Sequence, residues 1–454
     1  MQPARQVAYD VLRAVSDSDA YANLMLPSAI ADAGLSEQDA GLATELTYGT
    51  LRRRGTYDAI ISAAAARPAS EIDPGVLDAL RLGAHQILAT RVAPHAAVNE
   101  SVNLAAAQGR GAASFANAVL RRIARESAES WQERIEQEAR SDDERLALRT
   151  AHPVWVIRAL RRALAAEGRA DELDALLEAD NVSPEVTLVA LPGLAEPGEP
   201  RRPYAPTAFA SPGGDPHRIV SASGGTVRVQ DEGSQLVALA LTAAAPIRAG
   251  EHWLDLCAGP GGKTALLAAV AREHGAVLEA NEVVPARAGL VRNAIRPVPG
   301  EVVVHEQDGS ALAASRPGAF DRVLVDAPCT GLGALRRRPE ARWRKSPADV
   351  ADLVPVQTEL LAAALDALAP GGIVAYVTCS PHLAETTGVV EDVLRDRDGF
   401  AELDARSVVS GIARHPIDLA DGRAGAVQLW PHRHGTDAMF LALIQRTASD
   451  SQGD

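Results

Sequence analysis

Trp253-Leu254-Asp255-Leu256-Cys257-Ala258-Gly259-Pro260-Gly261-Gly262-Lys263-Thr264 is the stretch on which the reading of this chain turns. A short apolar run ends in an acidic residue and a glycine-rich turn, and residues 265–271 then read as a helix. Strand, tight loop and helix N-terminus together make the cradle in which open α/β sheets hold nucleoside cofactors. Glycine suits such a loop because no Cβ blocks the ligand and positive φ angles are accessible. Two phosphate-binding motifs fail here on spacing. The first Gly of a P-loop would have to stand at Cys257, and the third Gly of a dinucleotide fingerprint begun at Gly259 would have to stand at Thr264. A cofactor without phosphates remains, S-adenosylmethionine foremost.

Outward from this loop the pattern is β–α alternation. Strands are expected over 252–257, 276–281, 301–307, 321–326 and 372–378, with helices over 234–244, 264–273, 287–295, 350–368 and 384–396. Such alternation predicts a mostly parallel, doubly wound sheet. Residues 426–430 and 439–444 are expected to close one edge as an antiparallel hairpin. Upstream, apolar residues recur every three or four positions over 5–15, 39–54, 57–64, 74–89, 95–107 and 117–125, which predicts a compact helical bundle. Asn99 and Asn117 read most simply as helix caps or buried polar residues. Between the two halves, 131–150 reads as a helical linker, 152–178 as a helical pair, 184–191 as a strand and 192–215 as a Pro/Gly-rich loop. The expected organisation is therefore multidomain: an all-helical domain over 1–130, a linker with a small α+β module over 131–230, an α/β catalytic domain over 231–448, and a disordered tail over 449–454.

With 454 residues the chain is too long for one ordinary core. It lacks a signal-peptide layout and an apolar run of membrane-spanning length, so a cytoplasmic location is expected. The formal net charge of −14 argues weakly against a nucleic-acid partner. A local basic run, Arg336-Arg337-Arg338-Pro339-Glu340-Ala341-Arg342-Trp343-Arg344-Lys345, argues the other way, although most such runs are solvated loops. The only lysines are Lys263 and Lys345, which draws attention to the one inside the glycine loop. The three cysteines, Cys257, Cys329 and Cys379, are too few for a disulfide framework and have no C-x-x-C spacing, so no metal is expected.

Ligands of open α/β sheets sit beyond the carboxyl ends of the strands. Every expected strand of the sheet ends in polar chemistry: Asp255 and the glycine loop, Glu282, Asp308, Asp326-Ala327-Pro328-Cys329, and Thr378-Cys379-Ser380. An isolated Asp at such a place is usually a turn cap. Five in one sheet point to a site, with Glu282 suited to ribose hydroxyls, Asp308 to the adenine amine, and Lys263 to the carboxylate of a methionine portion. Free cysteines are most often small buried hydrophobes, yet a thiolate is also the strongest side-chain nucleophile near neutral pH. Methylation of cytosine carbon 5 needs a nucleophile at carbon 6, an acid near the ring nitrogens and a proton acceptor. Cys379, Asp326 and Cys329 supply that set.

Residues 254–264, Asp326-Ala327-Pro328-Cys329 and Thr378-Cys379-Ser380-Pro381 resemble the RNA (cytosine-5)-methyltransferases. Residues 80–88, 95–102 and 115–122 resemble the NusB-like RNA-binding fold, and the combination is similar to the RsmB/Sun branch. Further matches are Ala280-Asn281-Glu282 with Arg287 and Asn293, Arg337-Arg338-Pro339-Glu340 with Trp343, and Leu429-Trp430-Pro431 with Gly435-Thr436-Asp437. The resemblance implies a Rossmann-like catalytic domain that uses S-adenosylmethionine on small-subunit ribosomal RNA. It implies Cys379 as nucleophile, Cys329 in proton removal and product release, and Asp326 at the target base. It implies a cofactor site built from Asp255, Leu256, Cys257, Ala258, Gly259, Pro260, Gly261, Gly262, Lys263, Glu282, Arg287, Asp308 and Asp326. Glu385 matches an acidic position after the nucleophile, while Thr386 stands where many members have Asn and Met439 where an aromatic is common. The expected partners are RNA and no membrane or metal, with the chain a monomer. The competing readings are the same chemistry on tRNA or another RNA, and a catalytically inactive RNA-binding or antitermination-type protein.

Overall fold

The computed structural model describes residues 2–18, 21–109, 111–421 and 425–447, so the tail expected over 449–454 lies outside the described residues. The chain divides into two compact units, one of residues up to Arg158 together with Leu335–Lys345, the other of Ala159–Ala334 and Ser346 onward. The sequence reading placed its boundaries at 130 and 230 instead.

The first unit is helical. Its central helix, Pro74–Ala89, begins with Asp73 accepting from the Gly75 and Val76 N–H groups and Pro74 in the first turn. This helix is buried on almost every side, as expected of an element surrounded by others. Leu80 and Leu82 pack with Leu46, Leu104 and Leu120 from helices Glu37–Arg52, Pro94–Ala106 and Ala112–Ile123. Helix Ala22–Asp32 escaped the periodicity reading because Pro27 stands inside it. Asn99 and Asn117 are neither caps nor buried: both lie inside helices, Asn99 exposed and Asn117 half-buried, accepting from the Arg121 guanidinium at 3.0 Å.

Residues 128–150 form two helices, Ala128–Gln137 and Asp142–Thr150, rather than one linker. Trp131 and Ile135 belong to the core of the helical unit, and the Trp131 indole donates to the Ile123 carbonyl at 3.0 Å. A buried tryptophan with its N–H satisfied commits the segment to that core.

The basic run is the largest departure from expectation. It is not a solvated loop: every residue of the run is buried or half-buried. Arg342 is fully buried and donates to the carbonyls of Arg52 and Ala151, and Arg344 donates to those of Val15 and Ser18. The Trp343 indole donates to the Leu51 carbonyl at 2.9 Å and lies over Gly55, where a Cβ would come within 2.3 Å of the ring. Guanidiniums aimed at the open carbonyls of helix ends satisfy groups the helices cannot satisfy themselves.

The second unit opens with a three-stranded antiparallel sheet of β1 (Thr187–Ala190), β2 (Ala208–Ala210) and β3 (Val227–Val229), in the order β2-β1-β3. Strand β2 falls inside the segment read as loop. The main sheet comprises β4 (His252–Asp255), β5 (Val277–Asn281), β6 (Val303–His305), β7 (Phe320–Asp326), β8 (Leu368–Thr378), β9 (Phe400–Leu403), β10 (Val427–Gln428) and β11 (Phe440–Arg446). Its order is β10-β11-β8-β7-β4-β5-β6, with β9 also pairing β11. Strands β4 to β8 run parallel, while β9, β10 and β11 are antiparallel additions at one edge. The hairpin of β10 and β11 matches the reading; β9 and helix Ala405–Ile412 were not foreseen.

Alternation along the strands sorts the core. Trp253, Leu278, Leu324 and Ala375 pack under helices Glu232–Ala243 and Gly262–His274, whereas Leu254, Val323, Val325 and Tyr376 pack under helix Pro347–Asp366. Between β4 and β7 the strand order reverses direction. That reversal opens the crevice in which doubly wound sheets hold ligands.

Candidate active site

Register alone brings the polar strand ends together, since Asp255 aligns with Leu324 two residues before Asp326, and Asp326 aligns with Val377 next to Thr378. Asp255 is 1% exposed and accepts from the Thr264 hydroxyl at 2.7 Å, tying the strand to the helix that follows. Burial raises its pKa to about 7, against the lowering effect of Thr264. Its other carboxylate oxygen has no hydrogen-bond partner among the described residues. Gly261 has φ of +103°, and a Cβ there would sit 2.8 Å from the Val291 Cα, so the loop requires glycine.

The loop is braced from β5. Glu282 accepts from the Gly259 N–H at 3.0 Å and the Val284 N–H at 3.0 Å, and the Arg287 guanidinium donates to the Gly259 carbonyl at 2.6 Å. Both oxygens of the residue expected at the ribose are thus already engaged with backbone. Leu256 donates its N–H to Leu324, and Ala258 to Asn281. Pro260 follows a cis peptide bond, and burial pushes the half-buried Cys257 thiol pKa up. Asp308 is exposed and caps helix Gly309–Ala314, accepting from the Ala311 N–H at 2.9 Å. Lys263, expected at a ligand carboxylate, stands 2.8 Å from Asp326 instead. Burial opposes its charge, but the Asp326 carboxylate prevails and holds its pKa above the usual value.

The cysteines meet across β7 and β8. The sulfurs of Cys329 and Cys379 lie 3.4 Å apart. The hydrogen bond with Cys379, then burial, pushes the Cys329 thiol pKa well up. Beneath them Glu385 is fully buried and accepts from the Thr330 N–H at 2.7 Å, the Thr330 hydroxyl, the Ser380 hydroxyl at 2.6 Å and the Gln357 amide at 3.2 Å. One carboxylate therefore fastens the residue after each cysteine. Gln357 also donates to the Pro328 carbonyl at 2.8 Å, and the Gly333 N–H donates to the Cys379 carbonyl at 2.8 Å. Sequence reasoning missed Thr330 and Gln357, and it named Ser380 at a strand end without giving it a role. The available signal was a hydroxyl residue directly after each cysteine.

Among the described residues no cluster of His, Cys, Asp and Glu is arranged to hold a metal, and no helix is long and apolar enough to cross a membrane. Residues 242–445 match the family model of 16S rRNA methyltransferase RsmB/F, and residues 2–125 match the NusB family. The ribosomal RNA small subunit methyltransferase B of Pseudomonas syringae is 30% identical over 99% of this chain and 98% of its own length. This chain belongs to the RsmB/F methyltransferase family. An RsmB/F-type assignment agrees with a Mycobacterium tuberculosis relative named as a methyltransferase, 50% identical over 98% of this chain and 97% of that protein. The fold agrees as well. A crystal structure of the protein PH0851 superposes with a TM-score of 0.81 at 21% identity, covering 98% of this chain and 99% of the other. NSun6 from Pyrococcus horikoshii, solved with SFG, gives a TM-score of 0.50 at 16% identity, covering 64% of this chain and 98% of its own.

Proposed function

We propose that this RsmB/F-family chain methylates carbon 5 of a cytosine in RNA, using S-adenosylmethionine, and that the RNA is small-subunit rRNA, as the names of its relatives suggest. The observation that carries this reading is the pair of sulfurs 3.4 Å apart at adjacent strand ends, next to the Asp326–Lys263 pair. The cofactor fits the crevice: a glycine loop approaches it without side chains, and the buried second oxygen of Asp255 is left for a partner. The bound cofactor supplies an electrophilic methyl group.

The remaining work falls to side chains. The Cys379 thiolate adds to carbon 6, opening the ring's 5,6 double bond and placing electron density on carbon 5. Asp326 is assigned to the ring's nitrogen edge, its carboxylate oriented by Lys263. Once the Cys379 sulfur is bound to carbon 6, it no longer holds the Cys329 proton in place. Cys329 passes that proton to solvent, and after carbon 5 carries the methyl group its hydrogen leaves as a proton to the Cys329 thiolate. The carbon–hydrogen electrons restore the double bond and the sulfur of Cys379 departs with its own electron pair. The target base must be unstacked to present its ring to a thiolate.

Cys379→Ala is expected to abolish methyl transfer, whereas Cys329→Ala is expected to accumulate a covalent protein–RNA adduct that survives denaturing electrophoresis. Normal turnover without adduct in Cys329→Ala would overturn the assigned roles. Bisulfite sequencing of RNA from a strain lacking the protein identifies the acceptor: loss of one protected cytosine in 16S rRNA supports the ribosomal target, and loss in a tRNA replaces it.

A further inference from the structure

We propose that Gln230 grips the amino-acid end of the cofactor, its amide donating to the carboxylate and accepting from the ammonium. The inference rests on the S-adenosylmethionine reading above. Gln230 follows β3, and its backbone is fixed on both sides: the N–H donates to Thr187 at 3.0 Å and the carbonyl accepts from the Gln235 amide at 3.0 Å. The next residue, Asp231, caps helix Glu232–Ala243. The side chain is only 7% exposed, yet neither its nitrogen nor its oxygen has a hydrogen-bond partner among the described residues. An amide buried with both ends unmet carries a desolvation cost that a ligand would remove.

The amide faces the start of the glycine-loop helix. A Cβ on Gly262 would lie 3.7 Å from the Gln230 amide carbon and 3.8 Å from its nitrogen, so bare backbone adjoins it. Helix Gly262–His274 has no side-chain cap at Gly261, and its first internal bond runs from the Ala265 N–H to the Gly261 carbonyl at 2.9 Å. The N–H groups of the first turn and the positive end of the dipole therefore favour an anion. A phosphate would answer the helix and the amide nitrogen but leave the amide oxygen unmet. A zwitterion of carboxylate and ammonium answers all three. Lys263 is not placed to take the carboxylate, because its ammonium sits 2.8 Å from Asp326.

The test compares two ligands that share the nucleoside and differ in the amino-acid part. Calorimetric titration of the full chain with S-adenosylhomocysteine should show at least tenfold weaker binding in Gln230→Ala and Gln230→Met, while binding of 5′-methylthioadenosine, which lacks the amino and carboxyl groups, changes less than twofold. Retained methylthioadenosine binding also reports that each variant is folded. Equal losses for both ligands, or an unchanged affinity for S-adenosylhomocysteine, would overturn the role of Gln230. If the wild-type chain binds neither ligand, the cofactor reading itself fails, and this proposal with it.

Discussion

Two neighbouring regions at the carboxyl ends of the central strands treat buried polar groups in opposite ways. Under β7 and β8, Glu385 gathers four donors from three segments, and both cysteine loops are held by protein alone. Around β4 and the turn after β3, Asp255 and Gln230 are just as buried but keep polar atoms without a protein partner. Both oxygens of Glu385 are closed off by hydrogen bonds, whereas Asp255 and Gln230 keep atoms a ligand could meet; Gln357, which helps hold the cysteine loops, leaves its amide oxygen unmet as well.

Glu385→Ala strikes the closed region and should have the largest effect. Leaving two or more buried donors unmet should cost about 4 kcal/mol of stability, measured by urea unfolding, with Glu385→Gln intermediate. A loss below 1 kcal/mol for the alanine variant would mean that water replaces the carboxylate and that the region is not closed. In the open region the sign of a pH dependence is the test. Asp255 has its pKa raised from 3.8 to about 7, so the folded chain holds a proton there that the unfolded chain releases. This group's contribution is intact below about pH 4, falls as pH rises to about 7, and amounts to at most about 4 kcal/mol at about 1.4 kcal/mol per tenfold change. The stability of Asp255→Asn relative to wild type should therefore improve from pH 4 to pH 8, and a flat difference would show that Asp255 is charged throughout. Ser380→Ala should have the smallest effect. It removes one of several donors to Glu385 and should cost about 1 kcal/mol in the same unfolding measurement; a loss equal to that of Glu385→Ala would make Ser380 the centre of the cluster.

Much of the open region was legible in the sequence. Glycine spacing at 259–262 excludes phosphate loops, and β–α alternation places Asp255, Asp326 and Cys379 at strand ends. The pairing of side chains was not legible, because it depends on distances across the sheet. Lys263 read as a free cation for a ligand, but β4 and β7 are adjacent and Asp326 takes it. Glu385 could be matched to a family position, but its four donors come from residues as far apart as Thr330 and Ser380. The arginines at 336–345 misled most. Charge is read as exposure in a sequence, and nothing local marks the helix carbonyls that Arg342 and Arg344 meet.

That same segment has a consequence for how the chain is made. The helical unit appears first during synthesis, but Leu335–Lys345 belongs to it and follows Arg158 by well over a hundred residues. Until that segment leaves the ribosome, the Leu51 carbonyl and the surface beside Gly55 lack their final covering. The unit translated first is thus completed by residues that arrive after β4 to β7, which ties its maturation to that of the catalytic half.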